Sequence, residues 1–193
     1  MFYDDRRMAG LLLFASAAVF LIAHIVAEAV DPTYSVSNNA ISDLGVRAGA
    51  PIFNTAMVVL GVLLLLTGYF FYRTFHDRVV SGLQFAAGVG AMGVGIVNEN
   101  VSGAGHTLFS LVTFLGIGLI AIVAYRISEP PLAYIGILAG VASLSALALY
   151  ASGTYLALGP GGMERMIVLP VLAYSLAFSG SLMPPTEPPS QSS

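Results

Sequence analysis

The side chains best suited to chemistry lie in a polar segment at residues 34–45, which reads YSVSNNAISDLG. Asp43 is a candidate general base, and the amides and hydroxyls around it can orient a polar ligand by hydrogen bonds. Asn39 is a favourable helix N-cap and Gly45 a favourable helix stop, so we predict a short interfacial helix over residues 39–45. The candidate binding residues here are Tyr34, Ser35, Asn39, Ser42 and Asp43, with Asn54 shortly after them.

Two further polar segments supply the other candidates. VNENVSGAGH at residues 97–106 contains Glu99 and His106, and GGMERM at residues 161–166 contains Glu164 and Arg165. Because an ionisable group in an apolar setting needs a partner, we expect Arg165 to pair with Asp43, Glu99 or Glu164. If the chain is an enzyme, the candidate catalytic residues are Asp43, His106 and Glu99.

His24 and Glu28 are four residues apart and therefore share one face of a helix. Together with His106 they are candidate metal ligands, but this spacing only permits a metal site and matches no specific motif. Cysteine is absent, which excludes disulfides and thiolate sites. We predict no cofactor.

The composition is that of a membrane protein. Hydrophobic residues make up 57% of the 193, charged residues only 9%, and the mean hydropathy is +0.87. A soluble domain has about a quarter of its residues charged. The net charge of −3 and the lack of a basic cluster argue against nucleic acid as a partner.

Six apolar runs are long enough to cross a hydrocarbon core of about 30 Å as helices, which predicts an all-α, polytopic bundle. The spans are about 8–30, 52–72, 79–97, 107–125, 132–150 and 166–183, forming one domain over residues 1–183 with a disordered tail at 184–193. The first run also resembles a secretory signal, but we interpret it as a transmembrane helix.

The arginines predict the orientation. With the N-terminus inside, Arg6, Arg7, Arg73, Arg78 and Arg126 lie on the cytoplasmic side. Arginine is enriched in cytoplasmic loops, so this excess predicts that both termini are inside. The outer side then holds only Arg47 and Arg165.

Small residues at four-residue spacing predict close helix packing, since they let helix backbones approach each other. The third span contains Gly82, Ala86 and Gly90, and the fifth contains Gly136 and Gly140. We therefore expect these two helices to be central.

The polar segments also carry a resemblance. The chain resembles the prokaryotic membrane family called domain of unknown function 998. Four features carry this resemblance, in this order: YSVSNNAISDLG, PIFN, a histidine opening the fourth span, and GGMERMIVLP. The resemblance implies an integral membrane protein of about six helices and implies no reaction. It marks Tyr34, Ser35, Asn39, Ser42, Asp43, Asn54, His106, Glu164 and Arg165.

Three classes of function remain open. The first is a structural or lipid-binding membrane module, or an accessory subunit, in which the polar residues form a hydrogen-bonded cap. The second is an outer-leaflet hydrolase or transferase of a lipid or lipid-linked group that uses His106 and nearby acids. The third is a transporter of a small solute or ion, although the two halves show no repeat. The expected partners are membrane lipid, other membrane proteins or further copies of the chain, in the cell membrane.

Overall fold

A computed structural model describes residues 4–183, which contain only helices and loops. Within residues 4–183, six helices are long and apolar enough to cross a membrane, which confirms the predicted all-α bundle of six spans. They are α1 (Asp5–Ala29), α2 (Ala50–Phe75), α3 (Arg78–Ile96), α4 (Gly103–Val123), α5 (Leu132–Ala151) and α6 (Gly159–Ser181). The tail at residues 184–193 lies outside the described residues.

Local sequence sets several of the helix starts. The Asp4 side chain accepts a hydrogen bond from the Arg6 amide at the start of α1, and Asp77 accepts from the amides of Val79 and Val80 at the start of α3. Ser102 caps α4 in the same way. These caps satisfy backbone donors that have no partner inside the helix, so each helix begins at its cap.

The helices form a ring with one helix outside it. Consecutive helices α1 to α4 pack side by side, α6 packs against α1 and α4, and α5 packs against α4 and α6. The loops at residues 30–49, 97–102 and 152–158 all lie at one end of the bundle, which we call the polar end. The three polar segments of the sequence therefore meet at, or adjoin, a single end.

Close helix contacts occur where glycine leaves room for a neighbour. A Cβ on Gly90 of α3 would lie 2.5 Å from Thr113 Oγ1 of α4, and one on Gly140 of α5 would lie 2.5 Å from the Gly118 carbonyl oxygen. Two details differ from the prediction. Gly82 faces open space rather than another helix. α5 lies outside the ring, because it packs mainly against α4 and α6, where Gly136 and Gly140 meet residues of these two helices.

The polar segment in the first loop is compact but only briefly helical. The sequence predicts a short helix over residues 39–45, whereas the structure has a 3-10 helix at Ser42–Val46. The Asn39 side chain does not cap it, because the Asn39 Oδ1 accepts from the Ser35 amide and its Nδ2 donates to Asp43. Asn39 therefore stabilises the loop before the helix.

Candidate functional site

Glu164 and Arg165 lie in the second turn of α6, because this helix starts at Gly159, well before the predicted span. Both side chains point into the bundle: Glu164 is 2% exposed and Arg165 is 9% exposed. Ionisable groups at such depth need partners, and the surrounding loop supplies most of them.

The Arg165 guanidinium joins three parts of the chain. Its Nη1 donates to the carbonyl oxygens of Val36 and Gly161, each at 2.9 Å, and its Nη2 donates to the Tyr34 hydroxyl at 2.9 Å. The same Nη2 forms a salt bridge with the Glu28 carboxylate. We call Glu28, Tyr34, Glu164 and Arg165 the Arg165 cluster.

The acid that neutralises Arg165 is not one of the three that the sequence suggested. Asp43 accepts instead from the Ala40 amide and from Asn39, each at 3.1 Å, and Glu99 lies in another loop. Glu28 takes the role because it stands in the last turn of α1, and α1 packs directly against α6. The salt bridge thus ties the first span to the last.

Glu164 turns towards the first loop rather than towards Arg165. Its carboxylate accepts hydrogen bonds from the backbone amides of Ile41 and Ser42, at the start of the 3-10 helix. A carboxylate at that place satisfies amides that the short helix leaves without partners. Glu164 therefore fixes the position of this helix above the bundle.

Tyr34 connects the loop to the cluster. Its hydroxyl donates to the Ala40 carbonyl oxygen at 2.9 Å while it accepts from Arg165, whose guanidinium carbon lies 5.7 Å from the ring centre. Burial raises the pKa of Tyr34 above its ordinary value, although Arg165 opposes this effect. The hydroxyl therefore remains protonated at neutral pH and keeps its role as a donor.

A second ion pair in the same loop was not anticipated from the sequence. Asp31 accepts from the Thr33 amide and hydroxyl, at 3.0 and 2.7 Å, and forms a 2.7 Å salt bridge with Arg47. Hydrogen bonds from Thr33 and Arg47 lower the Asp31 pKa from 3.8 to about 2. Asp followed by Pro32 and Thr33 is a turn signal that could have revealed this contact.

Asn54 stands in the first turns of α2 and connects that helix to the loop. Its Nδ2 donates to the Gly45 carbonyl oxygen at 2.9 Å, while its buried Oδ1 has no hydrogen-bond partner among residues 4–183. Asn54 therefore holds the end of the 3-10 helix against α2.

His106 forms a separate group with Glu99. Its Nδ1 lies 3.1 Å from the Val97 carbonyl oxygen, and its buried Nε2 lies 3.8 Å from Glu99 Oε1 without a hydrogen bond. Within the described part of the chain, no hydrogen bond or ion pair joins His106 to the Arg165 cluster. The candidate residues thus divide into a large self-paired cluster and a His106–Glu99 pair.

The candidate metal ligands have different neighbours. His24 Nδ1 lies 2.9 Å from the Phe20 carbonyl oxygen, and the two rings stack at 5.0 Å. Glu28 binds Arg165, and His106 lies beside Glu99. Over residues 4–183, no three His, Asp or Glu side chains form a group that could hold a metal ion.

Beneath the Arg165 cluster, three partly open cavities follow one another along the bundle. The first, of about 30 Å³, begins at Ile41, Ser42 and Glu164. The second, of about 90 Å³, shares Phe20, Met57, Thr113, Phe114 and Val168 with the first. The third, of about 40 Å³, shares Leu13, Leu64, Ile117, Val171 and Ser175 with the second.

The cavity walls are almost entirely apolar and come from the ring of α1, α2, α3, α4 and α6 together with the first loop. One polar exception is Gln84 in the third cavity, which is 2% exposed and whose Nε2 has no hydrogen-bond partner in residues 4–183. Gln84 was not among the residues predicted from the sequence, although a lone glutamine inside an apolar span is itself a signal.

The Arg165 cluster is self-paired, and the cavities below it are mainly apolar. Arg165 and Glu28 neutralise each other, and the Glu164 carboxylate accepts hydrogen bonds from backbone amides. A proton transfer within the Arg165 cluster would therefore break existing contacts. The cavities below offer mainly hydrocarbon surface, as is usual for sites that bind small molecules.

Comparison with known proteins gives one result. No curated protein and no solved structure matches the chain. The sequence model of the family described as protein of unknown function (DUF998) matches residues 14–180, which include the Arg165 cluster, His106 and all residues of the cavity walls except Leu13. The chain therefore belongs to the DUF998 family of membrane proteins.

Proposed function

We propose that this protein is a lipid-binding membrane module that holds one hydrocarbon chain in the three cavities inside its helix ring. The observation that carries this proposal is that the cavities are successive and share their walls, from Ser42 and Glu164 at one end to Gln84 at the other. A narrow apolar row fits a single flexible chain better than a bulky ring system.

Packing energetics support an occupant. Protein interiors rarely contain voids larger than a water molecule. At about 24 cal/mol per Å³, a closed and empty cavity of about 90 Å³ would cost about 2 kcal/mol, which is an upper bound for the partly open second cavity. Water is a poor occupant, because a buried water needs two to four polar partners and these walls offer few. A hydrocarbon chain removes the void without such partners.

The Arg165 cluster has a structural part in this function. It fastens the first loop to α1 and α6, and Glu164 with Ser42 forms the polar end of the first cavity. A hydrocarbon chain bound below would thus be shielded from water at that end. The transport alternative gains no support from these walls, since they offer an ion or polar solute few partners along the path.

The test is to fill the cavities. Val171 is 5% exposed and contributes to the second and third cavities, whereas Val62 is 42% exposed on the outer face of α2. We expect native mass spectrometry of the purified wild type to show one retained lipid, which Val171→Phe loses and the matched control Val62→Phe keeps. Equal retention by both variants, or no retained lipid in the wild type, would exclude the proposal.

The catalytic alternative has one observation in its favour, the buried His106 Nε2 that faces Glu99 without a hydrogen bond. On this alternative, His106→Ala stops turnover of an outer-leaflet lipid while its melting temperature stays near that of the wild type. If His106→Ala lowers the melting temperature strongly, and the wild type leaves the lipid composition unchanged, His106 is structural instead.

We further propose that the polar end faces away from the cytoplasm of the cell membrane, as the arginine distribution favours. The absence of cysteine makes a labelling test direct. A cysteine placed at the exposed Asn38 should react with a membrane-impermeant maleimide added to intact cells, and one at the exposed Arg78 should not. The reverse pattern would overturn the orientation.

A further inference from the structure

A groove lies on the outer surface of α2 and α3, at the end of the bundle opposite the polar end. It has a volume of about 350 Å³ and is separate from the three cavities of the helix ring. Its aromatic walls are open to the surroundings, with Tyr69 47%, Tyr72 42% and Phe85 40% exposed. The complete lining is Tyr69, Tyr72, Arg78, Ser81, Gly82 and Phe85.

Arg78 gives this groove a positive charge that nearby acids do not neutralise. Asp77, its neighbour, forms a 2.5 Å salt bridge with Arg126 and caps α3, while Asp5 forms a 3.0 Å salt bridge with Arg73. Among the residues that the structure describes, Arg78 takes part in no ion pair. The groove therefore has a cation to offer to an anionic ligand.

The depth of the lining residues follows the layers of a lipid. Arg78 is the first residue of α3, and Phe85 lies two turns further, about 10 Å deeper along the helix. Between them, a Cβ added to Gly82 would meet no atom within 4 Å, so this glycine leaves an open slot on the helix face. Tyrosines favour the headgroup level of a membrane, where Tyr72 and Arg78 stand.

Two further residues, Tyr69 and Ser81, define the wall of this groove. The Arg73 guanidinium carbon lies 5.7 Å from the Tyr69 ring centre, so Tyr69 is held in place by a cation that Asp5 already neutralises. Ser81 in the groove wall is 3% exposed, and its Oγ has no hydrogen-bond partner among residues 4–183. The site thus has a fixed aromatic wall, and the Ser81 hydroxyl is buried below its surface.

We propose that this groove binds an anionic phospholipid, with the lipid phosphate at Arg78 and one acyl chain lying over Gly82 towards Phe85. The surrounding bilayer supplies such a ligand, and its charge complements the unneutralised guanidinium. This site is additional to the internal one, because the two share no lining residue.

The first experiment measures the charge dependence of binding. Phosphatidylglycerol and phosphatidylcholine are titrated separately against the purified protein, and bound lipid is counted by native mass spectrometry. Arg78→Gln should weaken phosphatidylglycerol binding about fivefold, since one arginine near an anionic lipid contributes about 1 kcal/mol. Arg6→Gln is the matched control, because Arg6 is exposed at the same end and lies outside the groove.

The second experiment fills the open space at Gly82 with a larger side chain. Gly82→Leu should reduce binding of both lipids, whereas Gly180→Leu should not, although both glycines have open space around them near this end of the bundle. The proposal is overturned if Arg78→Gln and Arg6→Gln weaken binding equally, if phosphatidylcholine binds as tightly as phosphatidylglycerol, or if Gly82→Leu has no effect. Val171→Phe should leave this site unchanged, so failure here is distinguishable from failure of the internal site.

Discussion

Replacing Arg165 with glutamine is the most direct test of the Arg165 cluster. The change removes the hydrogen bonds to Val36, Gly161 and Tyr34 and leaves the Glu28 carboxylate without its cation. Breaking a buried ion pair by removing one partner costs about 3–5 kcal/mol. We expect about 3 kcal/mol, the lower end of that range, because 19% of the Glu28 side chain remains exposed.

The assay is the free energy of unfolding in mixed detergent micelles. Arg73→Gln is the control, because it removes the Arg73–Asp5 ion pair, in which the arginine side chain is 51% exposed, and should cost much less. Adding Glu28→Gln to Arg165→Gln should restore part of the loss, since no uncompensated charge then remains. A loss from Arg165→Gln no larger than that from Arg73→Gln, or no recovery from the second substitution, would exclude a stabilising Arg165–Glu28 ion pair.

Two further predictions concern the first loop. Gly161→Ala should destabilise the protein by about 1–3 kcal/mol in the same unfolding assay, because its Cβ would lie 2.0 Å from the Asn39 carbonyl oxygen. Gly103→Ala, which has open space, should cause no such loss, and equal effects would contradict this packing. Asp31→Asn should lower the melting temperature by a constant amount above about pH 4, because a lowered folded-state pKa contributes fully above the unfolded value. That difference should shrink as the pH falls towards about 2, and a difference unchanged by acid would exclude the Asp31–Arg47 pair as its source.

The sequence was most informative about single elements. Each span could be recognised because its own length and apolar composition match the membrane, and no distant residue is needed for that. The caps at Asp77 and Ser102 are local as well, since a cap bonds within three residues of itself, although we did not predict them from the sequence. The number of spans alone predicts that the polar segments lie at one end, because alternate loops of such a bundle lie on the same side of the membrane.

The site itself was only partly predictable. Arg165 was expected to bind an acid, but its partner Glu28 is 137 residues away and was grouped instead with His24 as a candidate metal ligand. Which acid reaches Arg165 depends on which helices are neighbours in the ring, and helical periodicity does not encode this. Gln84 was overlooked for the same reason, because its position inside a cavity depends on four other helices.

The sequence alone therefore determined that this is a six-helix membrane protein with polar segments at one end, because hydrophobic length and backbone hydrogen bonding act within each helix. Only the tertiary structure decided that Arg165 pairs with Glu28, that α5 lies outside the ring and that three cavities follow one another inside it. These features depend on the packing of side chains from distant helices, where a single glycine or a rotation of one helix changes which surfaces meet.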